Sequence, residues 1–191
     1  MATADRMPPI AAEKMTADQK KAAEEFAAGR GYSARGPFAV MLRSPEVMLR
    51  AKAMGDYLRF RNVLPKRVSE MVILITAREW TQQYEWAYHY GFALEEGLAK
   101  STIEAIAEGR RPEGMQADEL AAYDFSSELH RRRSVSDATY ARALSAFGEQ
   151  GIVDLIGVNG YYSFLAMIMN AARSTVDVGV GKVPPLRKLP D

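Results

Sequence analysis

The fold of this chain is decided by the segment LPKRVSEMVILITAREWTQQYEWAYHYGFALEEG, which spans residues 64–97. Residues 65–79 predict a helix that is apolar on nearly every face, which is typical of a helix buried at the centre of a domain. A break is expected at 81–83, and a second helix is expected from 83 to 96, closed by Gly97. The sequence therefore predicts two consecutive helices that fold back on each other.

Helices are also predicted on both sides of this pair, whereas strand patterns are nearly absent. Thr16 and Gln19 have the spacing of a capping box at the start of a first helix. A loop follows at Gly36-Pro37, and Ser44-Pro45 begins the next helix as N-cap and first-turn proline. The remaining helices are expected near residues 100–108, 116–132, 137–147 and 150–172. The last of them is again apolar on most faces, so the fold class is expected to be all-α.

The 191 residues have the composition of an ordinary globular protein, with 48% hydrophobic and 26% charged residues. The net charge of +1 argues against a protein that binds nucleic acid or an anionic membrane. The most apolar stretches, residues 71–77 and 164–169, are far shorter than the roughly 20 residues of a membrane helix, and no leader pattern is visible. We therefore expect a cytoplasmic protein without nucleic-acid or membrane partners.

The chain contains no cysteine, which excludes disulfides, thiolate metal sites, iron–sulfur clusters and a cysteine nucleophile. Its two histidines are His89 and His130, so a three-histidine zinc site cannot form within one chain. His130 lies in the run HRRR at the end of a predicted helix, where a solvated cation complements the helix dipole. His89 is therefore the stronger candidate for chemistry.

Three ionisable residues on the predicted helix pair are candidates for catalysis. Glu70 lies on an apolar stripe, where a carboxylate is costly unless it is paired or protonated. The alternative is that Glu70 faces solvent or pairs with Arg67. Glu85 and His89 lie four residues apart, so their side chains can meet as a catalytic pair or as an ordinary surface pair. Their neighbours are aromatic and can exclude water: Tyr84, Trp86, Tyr88 and Tyr90.

Several features occur together in and after this segment: Leu64-Pro65, Arg67, Glu70, the apolar helix, Glu85, His89, Ala93, Gly97 and a short helix that ends at Gly109. With them, residues 36–172 resemble the carboxymuconolactone decarboxylase family, within the alkylhydroperoxidase D-like superfamily. The peroxidase branch has a glutamate, a Cys-x-x-Cys pair that begins twelve residues later, and a histidine four residues after the second cysteine. Glu70 and His89 match the glutamate and the histidine. Gln82 and Glu85 replace the cysteines, which excludes thiol-dependent peroxidase activity.

The resemblance implies an all-helical subunit that assembles into a homo-oligomer, often a trimer or hexamer, with its active site near the helix pair and close to a subunit contact. It implies a domain at residues 36–175, preceded by a helical extension at 1–35 and followed by a proline-containing tail at 176–191. It also implies a reaction without a metal or an organic cofactor, which fits this composition.

The activity that the resemblance implies is decarboxylation of a carboxylated unsaturated lactone or a related product of aromatic ring cleavage. His89 would be the acid that protonates carbon, Glu85 its orienting partner and Glu70 a second proton carrier. One arginine would hold a carboxylate of the substrate. The candidate substrate-binding residues are Arg43, Arg67, Arg78, Tyr84, Trp86 and Tyr162.

The last predicted helix carries polar groups among its apolar residues. Asn159, Tyr161 and Tyr162 need buried hydrogen-bond partners or a cavity for their polar ends. Packing in the core with satisfied hydroxyl groups is the more frequent arrangement for such tyrosines.

Two other functions stay open. The same acid–base residues could catalyse a cofactor-free isomerisation or lactone hydrolysis, which the release of carbon dioxide would distinguish from decarboxylation. The chain could instead form a non-catalytic helical oligomer that binds a small hydrophobic molecule. In that case isosteric replacements of Glu70, Glu85 and His89 would leave ligand binding unchanged.

We predict that the chain is a homo-oligomer in solution. A single small domain has room for about one fully surrounded helix, whereas this sequence has two, together with 10 methionines and 9 tyrosines suited to contacts. Sedimentation at micromolar concentration should give a multiple of the chain mass of 21.2 kDa. The mass of a single chain would contradict the prediction.

Overall fold

The computed structural model describes residues 5–174 and 183–187, and these residues form helices and no strand. The α-helices are α1 (Ala17–Arg30), α2 (Pro37–Met41), α3 (Pro45–Phe60), α4 (Lys66–Glu79), α5 (Gln83–Glu95), α6 (Lys100–Ala107), α7 (Ala117–Arg132) and α8 (Asp137–Ala172). A short 3₁₀ turn at Ala12–Lys14 precedes them. The predicted all-α fold class is confirmed.

Helix α4 lies at the centre of the fold, as its sequence predicts. Every residue at positions 68–78 is buried, because α5, α6, α7 and α8 all pack against this helix. Helix α8 is the second long element of the core and contacts α2, α3, α4 and α7. Each apolar face of α4 is therefore covered by a neighbouring helix, and this arrangement removes the apolar surface of α4 from water.

The starts of the early helices follow local capping rules. Thr16 Oγ1 accepts a hydrogen bond from the backbone N–H of Gln19 at 3.2 Å, and Gln19 Oε1 accepts one from the Thr16 N–H at 3.0 Å. The predicted capping box is therefore present. Pro45 begins α3 as predicted, but the side chain of Ser44 caps no backbone group.

One short helix differs from the sequence prediction. The sequence predicts a loop at Gly36-Pro37, whereas the structure has α2 there, with Pro37 in its first turn. Five residues are too few for a helical period to be visible in sequence. Val40 and Met41 are buried, and contact with α8 stabilises this single turn.

The turn between α4 and α5 is held by side chains against α8. Thr81 has a positive φ of 46°, which reverses the chain direction. Gln82 Oε1 accepts a hydrogen bond from the Tyr84 N–H at 2.6 Å, and its amide nitrogen donates to Asn170 Oδ1 at 2.8 Å. Trp80 Nε1 donates to Ser163 Oγ at 3.0 Å. These contacts with α8 therefore fix the position of α5 relative to α4.

Helix α8 contains an interruption at Gly148, whose φ of 67° and ψ of 179° are not helical. The sequence predicts two helices, 137–147 and 150–172, and the interruption lies between them. The most apolar 18-residue window of α8 has a mean hydropathy of 1.5, enough by length and composition to cross a membrane. However, 56% of that window is buried inside the protein, which is typical of a core helix.

Part of the predicted C-terminal tail lies against the turn between α4 and α5. The backbone N–H of Leu186 donates to Gln83 Oε1 at 2.7 Å. The carbonyl of Arg187 accepts a hydrogen bond from the Arg78 guanidinium at 2.7 Å. The rest of the predicted tail, residues 176–182 and 188–191, lies outside the described residues.

We predict that Gly148→Ala lowers the free energy of unfolding by about 1–3 kcal/mol, because its backbone conformation is essentially restricted to glycine. A Cβ at this position would meet no atom within 4 Å, so the effect comes from the backbone alone. Gly91→Ala is the matched control, since Gly91 is an exposed helical glycine that also has nothing within 4 Å. That substitution should raise stability by about 0.5–1 kcal/mol. Urea unfolding measures both, and equal effects would contradict the prediction.

Candidate active site

The site is built on the antiparallel pair α4–α5. Glu70 lies in the first half of α4 and His89 near the middle of α5, and the hairpin brings their side chains together. Glu70 Oε2 and His89 Nδ1 are 2.7 Å apart, and both residues are buried, with 9% and 2% of their surface exposed. Glu85, one turn before His89, places its Oε2 3.6 Å from Nε2 of the same ring. The predicted meeting of the three residues is therefore observed.

The short contact fixes the orientation of the imidazole. With an ionised Glu70, the tautomer that fits carries its proton on Nδ1 and donates it to the carboxylate. The other nitrogen, Nε2, then lies on the side of Glu85, too far away for a direct hydrogen bond. Glu70 therefore acts as the group that orients His89, and the pair Nε2–Glu85 is left for contact with a bound molecule.

Glu85 is a carboxyl group whose protonation changes close to neutral pH. Burial raises the pKa of Glu85 to about 7, and the charge of Glu70 adds to this increase. The charges of His89 and Arg59 act in the opposite direction but do not outweigh burial. A carboxyl group with a pKa near 7 can both donate and accept a proton at physiological pH, which is what general acid–base catalysis requires.

A pocket lies over Glu85 and His89, and its volume is about 450 Å³ when the solvent space at its opening is included. Glu85 and His89 line it, whereas Glu70 lies behind the imidazole and does not. The remaining walls of the pocket come from α1, α3, α5, α8 and the segment before and within α2: Arg30, Tyr32, Arg35, Pro37, Phe38, Gly55, Arg59, Tyr84, Tyr88, Tyr161, Tyr162 and Leu165.

Two arginines in this pocket have no carboxylate partner in the part of the chain that is described. Arg59 donates to the Tyr88 hydroxyl at 3.4 Å and lies over the ring of Phe92. Arg35 lies over the rings of Tyr32 and Tyr88. Burial alone would raise the pKa of Tyr88, but hydrogen bonds and charge from the two guanidinium groups outweigh it and lower that pKa. The same positive charges favour an anion in the pocket.

A third arginine of the pocket, Arg30, has a carboxylate partner, but one nitrogen of its guanidinium group has no partner among the described residues. Arg30 pairs with Asp56 at 2.7 Å, and its side chain is 8% exposed. Its Nε atom is buried and has no hydrogen-bond partner among the described residues. Sequence analysis did not single out Arg30, Arg35 or Arg59. No local pattern marks them, because they come from α1, the segment before α2 and α3, and only the tertiary structure brings them to one pocket.

The three arginines named from the sequence lie elsewhere. Arg43 donates to the carbonyl of Pro8 at 2.6 Å and is exposed. Arg67 forms ion pairs with Asp118 and Glu119 of α7. Each of these guanidinium groups therefore has a partner outside the pocket, which corrects the choice of anchoring arginine.

Arg78 is the third of these arginines, and it has a structural position. It donates to the carbonyl of Ala107 at 3.2 Å and to Thr81 Oγ1 at 2.7 Å, besides its contact with the tail. Among the predicted aromatic residues, Tyr84 and Tyr162 line the pocket. Trp86 does not, because it is 1% exposed and packs in the core beside Tyr90.

Of two further sequence expectations, the one for His130 changes and the one for Asn159 is met. His130 is half-buried rather than solvated, and its Nε2 lies 3.2 Å from Thr76 Oγ1. Burial lowers the pKa of His130, so it is a neutral ring at physiological pH rather than a cation at the helix end. Asn159 has the buried partners that the sequence expectation requires, since its amide donates to Ser126 Oγ and to the carbonyl of Leu155.

Gln82 and Glu85, which stand at the two cysteine positions of the peroxidase pattern, have different environments. Gln82 is taken up by the turn, where it caps α5 and holds Asn170. Glu85 faces the pocket. Within residues 5–174 and 183–187 no group of three or more histidine, aspartate or glutamate side chains is arranged to hold a metal ion.

No protein-family pattern and no curated protein sequence matches this chain. Solved structures do match. The debrominase Bmp8, as a cysteine-to-alanine variant in complex with 2,3,4-tribromopyrrole, aligns with a TM-score of 0.71 over 93% of this chain and 95% of its own, at 11% identity. Its apo form aligns with a TM-score of 0.67 over 89% and 91%, at 11% identity.

A third match is ATU0492 from Agrobacterium tumefaciens, a protein of unknown function named as a candidate AhpD antioxidant defence protein. It aligns with a TM-score of 0.59 over 72% of this chain and 95% of its own, at 17% identity. This chain has the AhpD-like fold. At such low identities the likeness concerns the fold alone, and membership of the carboxymuconolactone decarboxylase family is not confirmed. The AhpD-like fold is thus present here without the thiols of the peroxidase pattern.

We predict that Glu85 makes the protein less stable as pH rises from about 4.5 to about 7. In this range the folded state binds a proton at Glu85 that the unfolded state has lost, so the free energy of unfolding falls with pH. The loss levels off above pH 7 at about 3 kcal/mol.

Glu85→Gln removes this titration, so its stability relative to the natural protein should rise over the same interval. Urea unfolding at several pH values measures the difference. Glu95→Gln, at an exposed position on the same helix, is the control and should show a constant difference. A constant difference for Glu85→Gln as well would mean that Glu85 is ionised throughout.

Proposed function

We propose that the chain is a cofactor-independent acid–base enzyme, a carboxy-lyase for a small conjugated carboxylate such as a carboxylated unsaturated lactone. The observation that supports this most is the buried imidazole of His89 between two carboxyl groups, under a pocket with aromatic and guanidinium walls. Decarboxylation of a substrate with its own electron sink needs a dry site, a fixed orientation and an acid that protonates carbon. The aromatic walls of the pocket can exclude water, its arginines can orient an anionic substrate, and Glu85 and His89 can supply the proton.

The geometry favours different roles for the two glutamates than the sequence suggested. Glu70 makes the short contact to His89 Nδ1 and stands behind the ring, so we assign it the orienting role. Glu85 lines the pocket and titrates near pH 7, so we assign it the proton transfer together with His89 Nε2. A proton can pass between these two groups through one water or one substrate atom, since their separation is 3.6 Å.

The arginines suit a second anionic group of the substrate better than the carboxylate that leaves. A guanidinium group that held the leaving carboxylate would lose that interaction as carbon dioxide forms, which would raise the barrier. Arg59 and Arg35 lie beside Tyr88, so an anionic group bound to them is held beside that phenol. We therefore place the reacting carboxylate against the aromatic walls near Glu85, and a second carboxylate at Arg59.

The reaction then proceeds in two steps. The bond between carbon and the carboxylate breaks, carbon dioxide leaves, and the electron pair moves into the unsaturated ring as a dienolate. The protonated Glu85 carboxyl, or His89 once its Nε2 has taken up a proton from water, then delivers a proton to carbon, and the acid regains its proton from water. Acid–base help of this kind accelerates a reaction by roughly 10²–10⁴-fold.

An isomerase or lactone hydrolase is the second candidate for the same groups. Its support is that Glu85 and His89 Nε2 are two neighbouring proton-transfer groups, which is what a proton shift between two carbons of one substrate needs. Carbon dioxide release from the substrate separates this candidate from decarboxylation.

We also propose that the enzyme works as a homo-oligomer. Val153, Ile156 and Met167 are exposed apolar residues on α8, and their spacing places them on one side of that helix. A second copy of the chain would cover this stripe, as expected for a homo-oligomeric contact.

We predict that His89→Gln lowers kcat by roughly 10²–10⁴, or about 3–5 kcal/mol in the barrier, because glutamine keeps much of the volume but cannot transfer a proton. The substrate is to be found by screening carboxylated muconolactones and related unsaturated lactones for carbon dioxide release and ultraviolet change in parallel. His130→Gln, at the other histidine, is the control and should keep its kcat. Unimpaired turnover by His89→Gln would remove His89 from the mechanism.

The same screen tests the exchanged roles of the glutamates. Glu85→Gln should lose about as much activity as His89→Gln, and the titration near pH 7 should disappear from its pH–rate profile. Glu70→Gln should lose less, because the amide oxygen can still accept a hydrogen bond from Nδ1. The reverse order would restore Glu85 to the orienting role.

A further inference from the structure

Two tyrosines of α8 present their hydroxyl groups to the pocket. Tyr161 and Tyr162 are 5% and 4% exposed, and both line the pocket. Neither hydroxyl donates to another described residue, and neither is among the buried polar atoms that lack a partner, so both open onto the space of the pocket. A molecule that enters this space can therefore accept hydrogen bonds from them.

The two rings are held firmly by their neighbours. The Tyr162 ring meets the His89 ring edge to face, with centroids 5.1 Å apart. The Tyr161 and Tyr162 rings are perpendicular to each other at 5.4 Å. Tyr161 lies against α3 at Gly55, where a Cβ would fall 2.2 Å from the phenol oxygen. Glycine at position 55 therefore makes room for this hydroxyl.

Both phenols stay protonated at neutral pH. Burial raises the pKa of Tyr161 and of Tyr162, and the negative charge of Glu85 raises each of them further. They can therefore donate hydrogen bonds to a negative oxygen, and they differ from Tyr88, another tyrosine of the pocket, whose pKa is lowered.

We propose that Tyr161 and Tyr162 form an oxyanion-binding pair, which takes the carbonyl oxygen of a planar conjugated substrate and donates two hydrogen bonds to it as it becomes an enolate. This inference deepens the proposed function and rests on it, because it names the class of substrate for the same pocket. The substrate must carry a carbonyl in conjugation with the carbon that is protonated beside His89 and Glu85.

The electron balance of the step is simple. When carbon dioxide leaves, the electron pair of the broken bond moves through the conjugated system to the carbonyl oxygen, which becomes an enolate oxygen. The phenol O–H groups strengthen their hydrogen bonds to it without giving up their protons. When carbon takes its proton, the pair returns and the carbonyl reforms. Loss of one such donor typically lowers kcat by roughly 10²–10³.

The pair can be tested without turnover by using 4-nitrophenol as the probe. Its phenolate carries the charge of an enolate oxygen on a planar ring, and the visible absorbance of the phenolate reports the ionised fraction. The charges around it act in both directions. Arg30, Arg35 and Arg59 favour the phenolate, and Glu85 opposes it once ionised.

We expect bound 4-nitrophenol to ionise at a lower pH than the free probe. Tyr161→Phe and Tyr162→Phe should each reduce the preference for the phenolate form by roughly three- to tenfold, because each removes one donor to a charged acceptor and keeps the ring. Tyr140→Phe, at an exposed tyrosine of the same helix, is the matched control and should change nothing. Thermal unfolding of each variant checks that it is folded.

A second variant tests Tyr161 by position rather than by removal. Gly55→Ala should displace the Tyr161 hydroxyl and weaken phenolate binding as Tyr161→Phe does. The double variant Gly55→Ala/Tyr161→Phe should bind the phenolate no more weakly than either single variant, since both substitutions remove the same donor.

Two results would overturn the inference. One is phenolate binding by Tyr161→Phe and Tyr162→Phe that equals that of the natural protein. The other is failure of the natural protein to favour the phenolate form of the probe. A protein that binds the phenolate through both tyrosines, but turns over no lactone, would refute the proposed function and leave the oxyanion pair intact.

Discussion

The contact between Glu70 and His89 is the interaction on which the rest of the site depends. A carboxylate and an imidazole are buried together 2.7 Å apart between α4 and α5, where either one alone would be costly. Their contact fixes the ring, and the ring in turn fixes which nitrogen faces the pocket. The apolar surroundings that make the contact necessary are the same that raise the pKa of Glu85 to about 7. The packing of the site and the acid–base chemistry that we propose for it therefore have one physical cause.

The pocket combines two kinds of group. Glu85 and His89 are groups that can transfer protons, and the charges of Arg35 and Arg59 beside Tyr88 favour an anion. The buried phenols of α8 lie in the same pocket and remain neutral donors. A substrate with an anionic group, a conjugated carbonyl and a carbon to be protonated would satisfy the pocket as a whole, which is why we favour a conjugated carboxylate over a purely hydrophobic ligand.

The AhpD-like fold brings positions 70, 85 and 89 together, and in the reaction that we propose the residue at position 85 sets the chemistry. A fold is compatible with many reactions, so the debrominase and the candidate antioxidant protein with this fold give no substrate for the present chain. A chain without cysteine cannot use thiol chemistry. A buried carboxyl in place of the second cysteine, beside a histidine held by Glu70, can transfer protons without exchanging electrons.

The sequence by itself determined the helices and the core of the site. Apolar residues on all faces of α4, a break near Thr81 and the spacing of Glu70, Glu85 and His89 are local patterns, and local patterns fix which residues a helical hairpin brings together. Only the tertiary structure decided which arginines and tyrosines face these residues. Arg35 comes from the segment before α2, Arg59 comes from α3, and Tyr161 comes from α8. Contacts between elements far apart in sequence depend on packing angles and on small residues such as Gly55, which no periodicity records.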